Sequence, residues 1–165
     1  MSAAYRIVLT GGAEVPPVVS GASGFGHAVF DSLTNAVTYS LTIAGLDFGA
    51  WLGEAPATAG AADDIVDAHF HPGAAGAEGA PIFGLKSDLD DFAVSAADLL
   101  GRRTISGRWE TTDAPSLTPH LASFTGAGLS LGSEIPIYIN LHTNANPGGE
   151  IRGQLVLIAT DASET

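Results

Sequence analysis

Two histidines spaced one residue apart stand out in this chain, in Asp67-Ala68-His69-Phe70-His71-Pro72-Gly73. On a β-strand, residues two apart share a face, separated by about 6.6 Å along the chain. His69 and His71 then project together, with Asp67 on the same side, while Val66, Ala68 and Phe70 take the other face and suit a core. Two imidazoles so placed can converge on one metal ion, and nitrogen donors favour copper or zinc. A third histidine ends the run Ile135-Pro136-Ile137-Tyr138-Ile139-Asn140-Leu141-His142. There Ile135, Ile137, Ile139 and Leu141 form the apolar face, and Tyr138, Asn140 and His142 point the opposite way. If the two strands are neighbours, His69, His71 and His142 share one site with an open position, as an accessible metal requires. The spacing leaves a second reading open, in which strand-end histidines are exposed or hydrogen-bond a loop. Of the other two, His120 is a candidate fourth ligand, and His27, on a face with Phe25 and Val29, reads as structural.

These residues need a scaffold of strands. Alternation is clearest at Val37, Tyr39, Leu41 and Ile43, with Thr38, Ser40 and Thr42 between them. Phe25 to Phe30 reads as its hairpin partner, joined through Asp31-Ser32-Leu33-Thr34-Asn35. Further strands are expected at Tyr5–Thr10, Ile65–His71, Pro81–Leu85, Thr104–Glu110, Ile135–His142 and Ile151–Ile158. Eight short strands with Gly and Pro turns predict an all-β fold, an antiparallel Greek-key sandwich or barrel. Ser95–Leu100, with Ser95 as N-cap and Gly101 as stop, predicts a helical turn, as does Leu117–Phe124. The stretch from Asp47 to Asp64 is long for a loop in a compact domain, which makes it functional or mobile; Trp51 should anchor it.

Composition bounds the rest. A chain of 165 residues fits one domain, 1–165, with a core over about 5–158. There is no cysteine, so neither a disulfide framework nor a thiolate zinc site is available. Six Lys and Arg face 18 Asp and Glu, a formal charge of −12. Nucleic acid is excluded, because no basic stripe exists to displace counterions from phosphates. No apolar run is long enough for membrane insertion. The start lacks a basic segment followed by an apolar one, which fits a cytosolic protein or an exported one whose signal has been removed. Acidity suits cation capture and also plain solubility. Asp63-Asp64 and Ser87-Asp88-Leu89-Asp90-Asp91 lack the spacing of a calcium loop and read as solvated turn acids. Gly148-Gly149 should turn the chain into the last strand, with Arg152 structural or guiding an anion. Sheet edges leave a homodimer open, against the repulsion of the net charge.

Three ordered segments carry a family resemblance. Leu9-Thr10-Gly11-Gly12-Ala13-Glu14-Val15-Pro16-Pro17-Val18 opens it, and Ala68-His69-Phe70-His71-Pro72-Gly73-Ala74-Ala75-Gly76 follows. Tyr138-Ile139-Asn140-Leu141-His142-Thr143 and Asn146-Pro147-Gly148-Gly149-Glu150-Ile151-Arg152-Gly153-Gln154-Leu155 close it. Together they resemble the CHRD domain, the module of chordin that also occurs singly in bacterial proteins. The order of His-x-His, long loops, a late histidine and a Gly-Gly turn is also similar to copper/zinc superoxide dismutase. That second resemblance implies His69, His71 and His142 as copper ligands, but the bridging histidine, zinc loop and disulfide of the dismutases are missing. The expectation is therefore a copper-binding domain, zinc being the second choice, serving storage, delivery or redox chemistry. If it is an enzyme, it is a copper-dependent oxidoreductase whose substrate would sit near Tyr138, Asn140 or Arg152. The rival expectation, from chordin, is a non-catalytic module that binds a protein partner.

Overall fold

A computed structural model of the chain describes residues 1–87, 89 and 91–161. Its strands are β1 (Ala3–Thr10), β2 (Ser23–Asp31), β3 (Ala36–Ala44), β4 (Ile65–Pro72), β5 (Phe83–Gly84), β6 (Ala93–Val94), β7 (Arg103–Glu110), β8 (Glu134–Thr143) and β9 (Ile151–Thr160). All join one antiparallel sheet in the order β5-β4-β8-β9-β1-β2-β3-β7-β6. The fold is all-β, as the alternation predicts, with nine strands among the described residues rather than eight.

The sheet curls so that its two ends face each other. Period-2 alternation supplies the reason, because it loads one face with apolar side chains that only closure can cover. Tyr5, Ile7 and Leu9 of β1, Val37, Tyr39, Leu41 and Ile43 of β3, and Ile135, Ile137, Ile139 and Leu141 of β8 are all buried. Across the core, Phe83 of β5 stacks on Trp109 of β7 with centroids 4.8 Å apart, and Tyr39 of β3 meets Phe70 of β4 at 5.5 Å. Buried hydroxyls are satisfied by carbonyls: Tyr5 Oη donates to Phe124 O and Tyr39 Oη to Leu85 O. The expected β2–β3 hairpin forms, with Phe30 opposite Val37 and Asp31 opposite Ala36. Asp31 shapes its turn by accepting from Leu33 N and Thr34 Oγ1, and Asn35 takes the left-handed conformation with φ 53°.

Several expectations change. Ser95–Leu100 is not helical. Asp98 accepts from the backbone N–H of Leu100 and Arg102 and pairs with Arg102 Nε, closing a turn in place of a helix. Leu99 and Leu100 point into water, so no packed apolar stripe exists to hold a helix there. Pro81–Leu85 shrinks to the two-residue β5. Val66 is exposed, because the β4–β8 register shifts between Ile65 and Asp67 and Ile65 takes the core position. Leu117–Phe124 does coil, as a 3₁₀ turn over Thr118–His120 and then α2 (Leu121–Phe124).

The stretch from Asp47 to Asp64 is tied down. It holds the short helix α1 (Gly49–Leu52), and Trp51 packs on Phe48 and Phe92 as its anchor. Asp47, fully buried, accepts from Gly49 N at 2.7 Å and Thr58 N at 2.8 Å. Asp64 is buried too rather than solvated. Of the acidic run Ser87–Asp91, Asp88 and Asp90 lie outside the described residues.

Candidate metal centre

β4 and β8 are hydrogen-bonded neighbours, which meets the condition the sequence left open. The register sets Asp67 opposite His142, His69 opposite Asn140 and His71 opposite Tyr138. With Ala68, Phe70, Ile139 and Leu141 committed to the core, the alternate residues must share the outer face. There His69, His71 and His142 come together, each offering a nitrogen within 4.8 Å of the others.

The far side of each ring settles which nitrogen is offered. His69 Nε2 lies 3.0 Å from Asp67 Oδ2. His71 Nδ1 lies 2.8 Å from Gly79 O, and His142 Nδ1 lies 2.9 Å from Pro147 O. Carboxylates and carbonyls only accept, so these three nitrogens carry the protons in the neutral rings. The remaining three, His69 Nδ1, His71 Nε2 and His142 Nε2, present bare lone pairs. All three are buried without a hydrogen-bond partner. Carboxylate or carbonyl partners on the far nitrogen are the usual means of orienting imidazoles toward a metal.

Burial favours the ligating form of two of the three rings. Burial pushes the imidazolium forms of His71 and His142 out of favour, so the pKa of each lies below the ordinary histidine value. Burial works against the Asp67 carboxylate, but hydrogen bonds from His69 and Ala68 N–H outweigh it and hold its pKa low. A negative carboxylate therefore sits behind His69 Nε2.

The sequence motifs that build this face match one family model, the CHRD domain, over residues 5–155. The chain belongs to the CHRD domain family. Searches of curated proteins and of solved structures each found no match. The matched span of the CHRD domain takes in all three histidines and the loops that cover them.

Those loops are held by residues behind the histidines. His71 stacks on Tyr138 with centroids 4.8 Å apart and rings 5° from parallel. The Arg152 guanidinium carbon lies 3.4 Å from the centroid of the Tyr138 ring. Arg152, 2% exposed, donates to Ala77 O at 2.8 Å and Ala74 O at 2.9 Å. It thereby fixes the loop whose Gly79 carbonyl orients His71, which is the structural role of the two the sequence allowed. Glu150 precedes β9 and accepts from Ser20, Thr143 and Asn146, pinning the turn that carries Pro147 O.

Two other histidines stay apart. His120, a candidate fourth ligand, lies against Trp109, ring centroids 5.5 Å apart, and is not among the three clustered histidines. His27 does share a face with Phe25 and Val29, but that face is solvent-exposed, so it packs nothing. Glu14 was missed. It is 6% exposed, and burial pushes its carboxyl up to about 7 against the nearby Arg152 charge. The segment Glu14-Val15-Pro16-Pro17 marked a motif, but nothing local showed that it would fold over the sheet.

Proposed function

We propose that this CHRD domain binds copper, with zinc as the second choice, through His69 Nδ1, His71 Nε2 and His142 Nε2. One observation carries the reading. Three lone pairs, each fixed by an acceptor on the far nitrogen, converge in a buried position with no proton between them. Such an arrangement is repulsive until a cation enters. For a given set of nitrogen donors, Cu(II) binds more tightly than Zn(II), which orders the two metals. Three protein ligands leave coordination open, and His69 and His142 are only half-buried, so an ion could exchange or meet a small reactant. Storage, delivery and redox chemistry all fit that description.

The test is a titration of the metal-free protein with Cu(II) and with Zn(II), following melting temperature and absorption, beside His69→Ala and His142→Ala. An ion at 100 times its Kd should stabilise the wild type by about 2.7 kcal/mol, and both variants should lose most of that gain. Equal, weak binding by all three proteins sinks the shared site. Capture of a protein partner that survives both substitutions would favour the interaction module instead.

A further inference from the structure

Asn140 stands beside the three imidazoles. It lies two residues before His142 on the same face of β8 and directly opposite His69. Its side chain is 3% exposed, and its Oδ1 is buried with no hydrogen-bond partner. Leaving such an acceptor unsatisfied is destabilising, so its placement calls for a reason.

The Asn140 side chain lies near both the buried Glu14 carboxyl and His71. His71 Nε2 is itself a bare lone pair without a partner. Asn140 Oδ1 is thus a fourth unpartnered acceptor on this face, with His69 Nδ1, His71 Nε2 and His142 Nε2. A single water has two hydrogens to offer four acceptors. One cation satisfies all four together.

Resting on the metal reading above, the geometry points to Asn140 Oδ1 as the fourth donor of the centre, completing an N₃O set. The oxygen also biases the oxidation state. A carbonyl is a hard donor that suits Cu(II), whereas Cu(I) is served by softer ligands. Removing it should therefore raise the reduction potential of bound copper.

The experiment compares wild type, Asn140→Ala and Asn140→Asp by Cu(II) titration, electron paramagnetic resonance and redox titration. Asn140→Ala should keep the coupling to three nitrogens, bind Cu(II) at least about 10-fold more weakly and shift the potential upward. Asn140→Asp, which retains Oδ1 and adds charge, should bind at least as tightly as wild type. Wild-type affinity, spectrum and potential in Asn140→Ala would overturn the assignment while leaving the three-histidine site intact. If circular dichroism shows that Asn140→Ala does not fold, nuclear magnetic resonance of the wild type decides. The Asn140 side-chain NH₂ signals must move on loading with Zn(II), and unmoved signals overturn the assignment. A wild type that binds neither ion overturns the metal site itself, a result distinct from the others.

Discussion

The outer surface of the sheet has two halves that obey the same alternation and meet opposite fates. Over β1, β2 and β3 the outward residues include Arg6, Val8, Phe25, His27 and Val29, and Phe25 is 54% exposed. Over β4, β8 and β9 they include His71, Tyr138, Asn140 and Arg152, none more than 4% exposed, with the half-buried His69 and His142 beside them. Loops make the difference. The segment after β4 is held down by Arg152 and by Gln154 Nε2 donating to Gly73 O, and the turn before β9 is pinned by Glu150. A histidine on the first half is a solvated side chain. On the second it is desolvated, oriented and stripped of alternative partners. Strand periodicity assigns a side chain to a face; cover decides its chemistry.

The comparison can be broken at the cover first. Glu14 is ordinary in type, but burial pushes its carboxyl up to about 7 from 4.5. A raised acid contributes stability that is complete below its unfolded pKa and is lost as pH rises through the folded value. Metal-free wild type should therefore lose on the order of 3 kcal/mol relative to Glu14→Gln between pH 4.5 and pH 8. Urea unfolding of the two proteins at both pH values checks this, and parallel stabilities would mean that the loop does not desolvate the carboxyl.

A smaller effect is expected at the rim of the site. Asp67 is half exposed yet orients His69. Asp67→Ala should weaken Cu(II) binding about 10–100-fold, the usual cost of losing such a partner. Isothermal titration calorimetry is the direct check; unchanged affinity would show that His69 is oriented without its carboxylate. The smallest effect belongs to the bare half. His27→Ala should leave Cu(II) affinity unchanged and move stability by less than about 0.5 kcal/mol. A measurable loss of Cu(II) binding there would place histidine number, rather than cover, behind any metal affinity.

Much of the strand framework was legible because alternation is a local property. Val37 to Ile43 and Ile135 to Leu141 each announce a buried and an open face without knowledge of any partner strand. The same locality misled at Ser95–Leu100, where a serine, an acid and a glycine fit a helix end and a turn equally well. Asp98 bonding its own backbone, with two leucines left in water, decided for the turn. Val66 was misassigned because one register shift reverses the faces, and no single strand reveals its register.

By itself, then, the sequence determined the all-β class, the pairing of His69 with His71 on one face and the absence of any cysteine ligand. Each follows from composition or from a period of two. Only the tertiary structure brought His142 beside them, since β4 and β8 are about 70 residues apart in the chain and their adjacency depends on how the whole sheet closes. It also decided which nitrogen each ring presents and that Asn140 and Glu14 are buried. Those properties depend on carbonyls and loops contributed from elsewhere in the chain, and desolvation arises only when the loops fold over the sheet.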